Sequence, residues 1–137
     1  MPAEHFFDTN VLLYLVLPEA GKTERATELL DKGGIISVQV LNEFTANARR
    51  KLKLDWSAID AFIAAIRCNC KIVPLTEEAW EQGRYIAERY QLQVYDAMIV
   101  SAALQVGAQT LYSEDLHAGL LIEGRLKVVN PFAQAGL

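Results

Sequence analysis

The feature that most constrains this chain is a regular alternation along its length. Short apolar runs are separated by longer stretches in which apolar residues recur at helical spacing. A strand buried on both faces reads as a continuous apolar run, and parallel neighbours need a long crossover, usually a helix. The alternation therefore points to an α/β protein with a parallel sheet. Candidate strands are His5 to Phe7, Ile35 to Ser37, Lys71 to Leu75, Thr110 to Ser113 and Leu126 to Val129. No low-complexity linker or internal repeat divides them, and 137 residues are one domain's worth, so a single domain over residues 1–137 is expected.

Helical faces can be read between the runs. Ile59, Phe62, Ile63 and Ile66 fall at i, i+3, i+4 and i+7, with Ser57 and Asp60 as the expected capping box. Ala79, Gly83, Ile86 and Tyr90 form a second stripe behind Thr76, an N-cap followed by Glu77 and Glu78 in the first turn. A helix over Val38 to Arg50 is expected to turn Val38, Leu41, Thr45 and Ala48 inward. That leaves Glu43, Asn47 and Arg50 on a polar face that is either functional or simply solvated. The segment Ala97 to Val106 has almost no polar face, so it is either central to the fold or pressed against a second subunit. Gly33 and Gly34 read as a helix end turning into a strand, because no phosphate-loop pattern surrounds them.

Composition excludes several classes. Lys plus Arg number 13 against 17 Asp plus Glu, a net charge of −4, which rules out a uniformly basic nucleic-acid glove. A polyanion would have to be held by a local basic patch or through metal ions. Cys68 and Cys70 lie far in sequence from His5 and His117, so neither a zinc site nor a disulfide framework is indicated. The longest strongly apolar run, Val11 to Leu17, is too short to span a bilayer, and no leader pattern opens the chain. A cytoplasmic protein with no membrane association is expected. No helix-turn-helix pattern is present, so autonomous DNA recognition is not expected either.

The acids carry the chemistry. Asp8 ends the first strand and Asp115 follows the fourth, and in an open parallel sheet the carboxyl ends of strands line the ligand crevice. Asp96 stands at the threshold of the apolar helix, and Glu43 lies on the polar helical face. Singly, each has an ordinary reading: a helix cap, a turn former, a surface glutamate, a loop acid. Brought to one cleft they would repel one another and raise each other's pKa unless a cation compensates. Oxygen ligands of this hardness suit Mg²⁺ or Mn²⁺. Such an ion could hold a phosphodiester and activate water without a protein nucleophile. Arg49, Arg50 and Lys51, with Lys53 beyond, could take the flanking phosphates or could simply be cations at a helix C-terminus.

The runs FFDTNVLLYL, QVLNEF, YDAMIVSAA and LYSEDLHAG, in that order and spacing, resemble the PIN-domain ribonucleases and, more narrowly, the VapC type of toxin. The resemblance extends from Phe6 to the terminal VVNPF at Val128 to Phe132. It implies a three-layer α/β/α sandwich about a short parallel sheet. It also implies that Asp8, Glu43, Asp96 and Asp115 form an acidic quartet that binds Mg²⁺ or Mn²⁺ and positions the attacking water. Asp8, Asp96 and Asp115 would then be the metal ligands, with Asn10 and Ser113 supporting the first and last acids. RNA as substrate, a homodimer and a cognate antitoxin that blocks the cleft follow from the resemblance alone. Glu114 does not match a family position. A haloacid-dehalogenase-like phosphatase would need an acid where Asn10 stands, and a receiver domain would need an acidic pair after the first strand. A catalytically degenerate partner-binding module, using the helix from Ala97 and the surface near Val11 to Leu17, is the remaining alternative. Four mutually repelling acids argue against it.

Overall fold

In a computed structural model of the chain, which describes residues 5–133, six strands form one sheet in the order β3-β2-β1-β4-β6-β5. The strands are β1 (His5–Phe7), β2 (Gly34–Ser37), β3 (Cys70–Val73), β4 (Thr110–Tyr112), β5 (Leu121–Ile122) and β6 (Leu126–Val129). All but β5 run parallel, and the registers centre on Phe6, which pairs with Ile35 on one side and Leu111 on the other. The helices are α1 (Thr9–Leu13), α2 (Lys22–Lys32), α3 (Val38–Arg50), α4 (Trp56–Asn69), α5 (Glu77–Tyr90) and α6 (Val94–Gln105). They flank the mostly parallel sheet, the α/β architecture expected from the alternation. Among the described residues no helix is long and apolar enough to cross a membrane.

The core is continuous from sheet to helices. Phe6, Ile36, Leu111 and Val128 from the strands meet Val40, Phe44, Ile66, Ile86 and Ile99 from the helices, all of them buried. Helix α6 is buried over every residue from Ala97 to Leu104 because β2, α3 and α5 all pack against it. Gly83 lets the two helices approach: a Cβ there would stand 2.8 Å from the Met98 sulfur. Ser101, the polar exception on α6, donates to the carbonyl of Ala79 on α5 at 2.6 Å. The missing polar face is thus covered within the chain.

Several details of the expected elements change. Helix α3 is rotated, with Val40, Phe44 and Ala48 buried, Leu41 and Thr45 half-buried and Val38 exposed. The i, i+4, i+8 series centred on Phe44 buries more apolar surface than the series beginning at Val38, so it wins the core. Helix α4 starts earlier than the expected cap, with Asp55 accepting from the Ala58 amide at 2.8 Å in place of Ser57. The third strand spans Cys70–Val73 and stops before Pro74, which lacks the amide a strand would use. Ser113 falls outside β4, and the antiparallel β5, only two residues long, carries too little pattern to be read from sequence.

The glycine pair after α2 divides its work. Gly33 takes φ +84 at the helix end, while Gly34 begins β2 against the Phe7 ring, in a space that leaves no room for a side chain. A Cβ on Gly34 would clash with that buried ring and stand 3.1 Å from the His5 carbonyl. Gly34→Ala is therefore expected to lower stability by about 1 to 3 kcal/mol, read as a lower urea midpoint with an unchanged slope. An unchanged midpoint would show that Phe7 can move aside.

Candidate active site

The strand order reverses direction at β1, since the chain leaves β1 for β2 on one side and returns to β4 on the other. Such a switch point opens a crevice at the carboxyl ends of the two strands. Asp8 leaves β1 there, and Ser113 to Asp115 leave β4. The backbones are joined at this edge, with the Asp8 amide donating to the Tyr112 carbonyl at 2.9 Å.

Asp8 is buried, 4% exposed, and both oxygens of its carboxylate accept hydrogen bonds. Oδ1 accepts from the Thr9 amide at 2.7 Å, capping α1, and Oδ2 accepts from Ser113 Oγ at 2.7 Å and Asn10 Nδ2 at 3.2 Å. Ser113 Oγ in turn accepts from the amides of Asp115 and Leu116 at 3.3 and 3.2 Å, which holds the loop that carries Asp115. Asn10 closes the ring, its Oδ1 accepting from the Glu114 amide at 3.1 Å.

Glu43 comes to the same edge from α3. Its Oε1 accepts from Thr9 Oγ1 at 3.2 Å and its Oε2 from Gln39 Nε2 at 2.9 Å, so both oxygens have fixed directions. Asp96 lies in the first turn of α6 and is half-buried, and Gln93, not Asp96, is the N-cap residue. Asp115 is exposed at the mouth.

The electrostatics tie the four acids together. Burial pushes the Asp8 carboxyl up to about 7; hydrogen bonds from Ser113 and Thr9 oppose the rise, while the charges of Asp96 and Glu43 add to it. Burial also raises Asp96, and the neighbouring charges of Glu43 and Asp115 raise it further. None of the ion pairs among the described residues includes one of these four acids. The donors are thus hard, anionic oxygens without a cationic partner, and by type and charge they fit a small divalent cation. Among the described residues no three such groups already stand as a closed ligand cluster. Asp96 is half-buried and Asp115 exposed, so both can be reached from solvent.

Three supports escaped the sequence reading. Thr9 and Gln39 orient Glu43, and their only signal was adjacency, Thr9 to Asp8 and Gln39 one turn before Glu43. The third is a strap that explains Glu114. Lys22 on α2 lies 2.6 Å from one Glu114 oxygen, and the Tyr14 hydroxyl donates to the other at 2.6 Å. Burial works against the Glu114 charge, but Lys22 and Tyr14 prevail and hold its carboxyl below the usual range. Lys22 also lies over the Tyr14 and Phe132 rings. Glu114 thereby clamps the loop to the end of α1 and the start of α2.

The cationic run after α3 divides. Arg49 packs over the Trp56 ring, 4.8 Å from its centroid, and donates to the Leu54 carbonyl at 3.0 Å, so it finishes the helix end. Arg50 lines a groove of about 370 Å³ with Asn42, Glu43, Asn47 and Tyr95. Lys51 is exposed at the C-cap.

The model of the PIN domain family matches residues 5–121, and the chain belongs to that family. Solved structures share the fold at low identity. A toxin-antitoxin complex from Klebsiella pneumoniae superposes with a TM-score of 0.70 at 22% identity, covering 93% of this chain and 97% of that one. VapC20 from Mycobacterium tuberculosis, a Sarcin-Ricin loop cleaving toxin, gives 0.66 at 23% identity, covering 81% of this chain and 89% of its own. VapBC2 from Rickettsia felis, bound to a DNA fragment from its promoter, gives 0.64 at 16% identity, covering 92% and 98%. No match was found among curated proteins.

The raised Asp8 pKa sets a pH dependence in protein stripped of divalent ions. The folded carboxyl binds its proton more tightly than the unfolded one, so the stability that Asp8 contributes is fully present below about pH 4 and is lost as pH rises through about 7. Asp8→Asn removes the cost of the buried charge. In EDTA the variant is expected to lose stability less steeply than wild type from pH 5 to 8, and at pH 8 to be more stable by on the order of 2 kcal/mol. A wild type no steeper than the variant would contradict the burial argument.

Proposed function

We propose that this chain, as a single domain over residues 1–137, is a metal-dependent ribonuclease that hydrolyses RNA phosphodiester bonds at the acidic site. The observation that supports the reading is the buried Asp8 carboxylate, which feels the charges of Asp96 and Glu43 as Asp96 feels that of Asp115, with none of the four acids in an ion pair among the described residues. A binding surface has no use for four mutually repelling acids, one of them buried, whereas a phosphodiester hydrolase needs them to hold cations against a polyanion.

Asp8, Asp96 and Asp115 are the residues that would hold Mg²⁺ or Mn²⁺. A bound ion supplies a Lewis acid that offsets phosphoryl charge and lowers the pKa of the attacking water. Asp8 is positioned by Ser113, Thr9 and Asn10, so its oxygens keep one direction, while Asp115 would approach from the exposed side of the loop. Glu43, clamped by Thr9 and Gln39, is placed to accept a proton from water and orient it. Arg50, with Lys51 beside it, meets the phosphates that flank the cut, and Arg49 contributes chiefly through the helix end. Family membership and the shared fold of a toxin-antitoxin complex and of a Sarcin-Ricin loop cleaving toxin support a further reading. The chain acts in the cytoplasm as the toxin of a toxin-antitoxin pair, as a homodimer, and a cognate antitoxin blocks the cleft.

Incubating the purified chain with structured and unstructured RNAs in Mn²⁺ is expected to give cleavage that EDTA abolishes. Asp8→Asn, Asp96→Asn and Asp115→Asn should each remove it, and Glu43→Gln should reduce it about 10² to 10³-fold, since water positioning is lost while metal ligands remain. Cleavage undiminished in the triple Asp variant would end the assignment.

Arg50→Glu with Lys51→Glu should weaken RNA binding at low salt and flatten its dependence on salt by about two released ions. Arg49→Gln should change binding less and stability more. Equal effects of the two substitutions on binding would mean that the whole run faces RNA.

A further inference from the structure

The groove beside the acids has a chemistry of its own. Its floor is one face of α3, on which Asn42, Glu43, Ala46, Asn47 and Arg50 recur at helical spacing, and its wall is the Tyr95 ring at the start of α6. Tyr95, on α6, is 67% exposed, whereas Phe44, the aromatic residue on α3, is fully buried. It directly precedes Asp96, so its ring stands one residue from the acid cluster. Asn47 donates its Nδ2 to the Glu43 carbonyl at 2.8 Å, which fixes the amide and leaves Oδ1 as an acceptor. Arg50 enters none of the ion pairs among the described residues. The volume, about 370 Å³, is at the small end of ligand clefts, which run from ~300 to 1,000 Å³.

From these observations we infer that the groove is a nucleobase subsite: an unstacked base of the RNA, next to the nucleotide being cut, stacks on Tyr95 while Asn42 and Asn47 meet its edge and Arg50 holds its phosphate. The inference rests on the ribonuclease reading and adds to it where base preference comes from. An exposed flat ring beside a polar floor suits a base, which has an apolar face and a hydrogen-bonding edge. Ala46 supports this, because its small side chain leaves the floor between the two asparagines open. An inorganic anion alone would use the guanidinium and leave the ring without a partner.

Two measurements separate this subsite from the nuclease reading. The first is cutting: a randomised RNA pool is treated with wild type, Tyr95→Phe and Tyr95→Ala in Mn²⁺, and the new ends are sequenced. Wild type and Tyr95→Phe are expected to share a base bias at a position adjoining the cut. Tyr95→Ala should lose the bias and cut a preferred RNA about 5- to 30-fold less efficiently, the worth of one stacked base. The second is affinity for a short unstructured RNA in an Asp8→Asn background, which cannot cut. Adding Tyr95→Ala should weaken binding by a similar factor, while adding Tyr95→Phe should leave it within twofold, because stacking needs the ring and not the hydroxyl. Thermal melting should be unchanged, since the ring lies outside the core. Cutting with the same profile in wild type and Tyr95→Ala, or with no bias in wild type, overturns the subsite and leaves the nuclease. Ring-dependent binding without any cutting by wild type overturns the nuclease and leaves the subsite. Binding that falls equally in the Phe and Ala variants overturns the stacking argument.

Discussion

The structure turns on one buried carboxylate. Asp8 accepts from Ser113, Thr9 and Asn10, and through these contacts a single side chain caps α1, joins the ends of β1 and β4 and sets the loop that leads to Asp115. A buried charge with no cation is costly, and here the cost is only partly offset by hydrogen bonds, since burial still raises its pKa to about 7. Stability alone would favour an asparagine or an apolar residue at this place. The geometry makes sense when the charge has a use that the folded chain does not itself supply.

The distribution of the other charges follows the same logic. Lys22, Arg84 and Arg89 are matched to Glu114, Glu88 and Glu123, so these ion pairs are built from acids other than the four. Glu114 stands beside Asp115 in sequence, yet the Lys22 and Tyr14 strap takes its charge out of the cleft. Two adjacent acids therefore do opposite work: one anchors the loop and the other faces solvent. A lysine delivered to the acidic edge instead would have neutralised it and filled it.

Much of this was legible in the chain before any coordinates. Strand ends were readable because buried strands are short apolar runs, and Asp8 and Asp115 sit just past two of them, where topology must open a crevice. Thr76 as a cap and the stripe through Ala79, Gly83 and Ile86 were equally local signals. The failures were those in which two local solutions competed. Helix α3 offered two apolar series a fraction of a turn apart, and only the sheet and α1 decided for Val40 and Phe44. Asp55 and Ser57 could each cap α4, and the longer helix prevailed. The Lys22 to Glu114 pair spans most of the chain, and no periodicity announces such a contact. Tyr95 left no mark either, because an aromatic residue before an apolar helix is ordinary until its ring is found outside.

Why an acid should be mounted on the least polar helix of the chain has a mechanical answer. A helix buried all round is held by its packing, and α6 is held closely: Met98 presses on Gly83, and Ser101 is tied to Ala79. A side chain in its first turn therefore inherits the rigidity of the core without being inside it. Asp96 is half-buried at that end, one residue beyond an exposed tyrosine, and so marks the boundary at which the core stops and the cleft begins. An acid on a mobile loop could be pushed aside by its neighbours' repulsion. One fixed to α6 cannot retreat, and the repulsion has to be relieved by something entering from solvent.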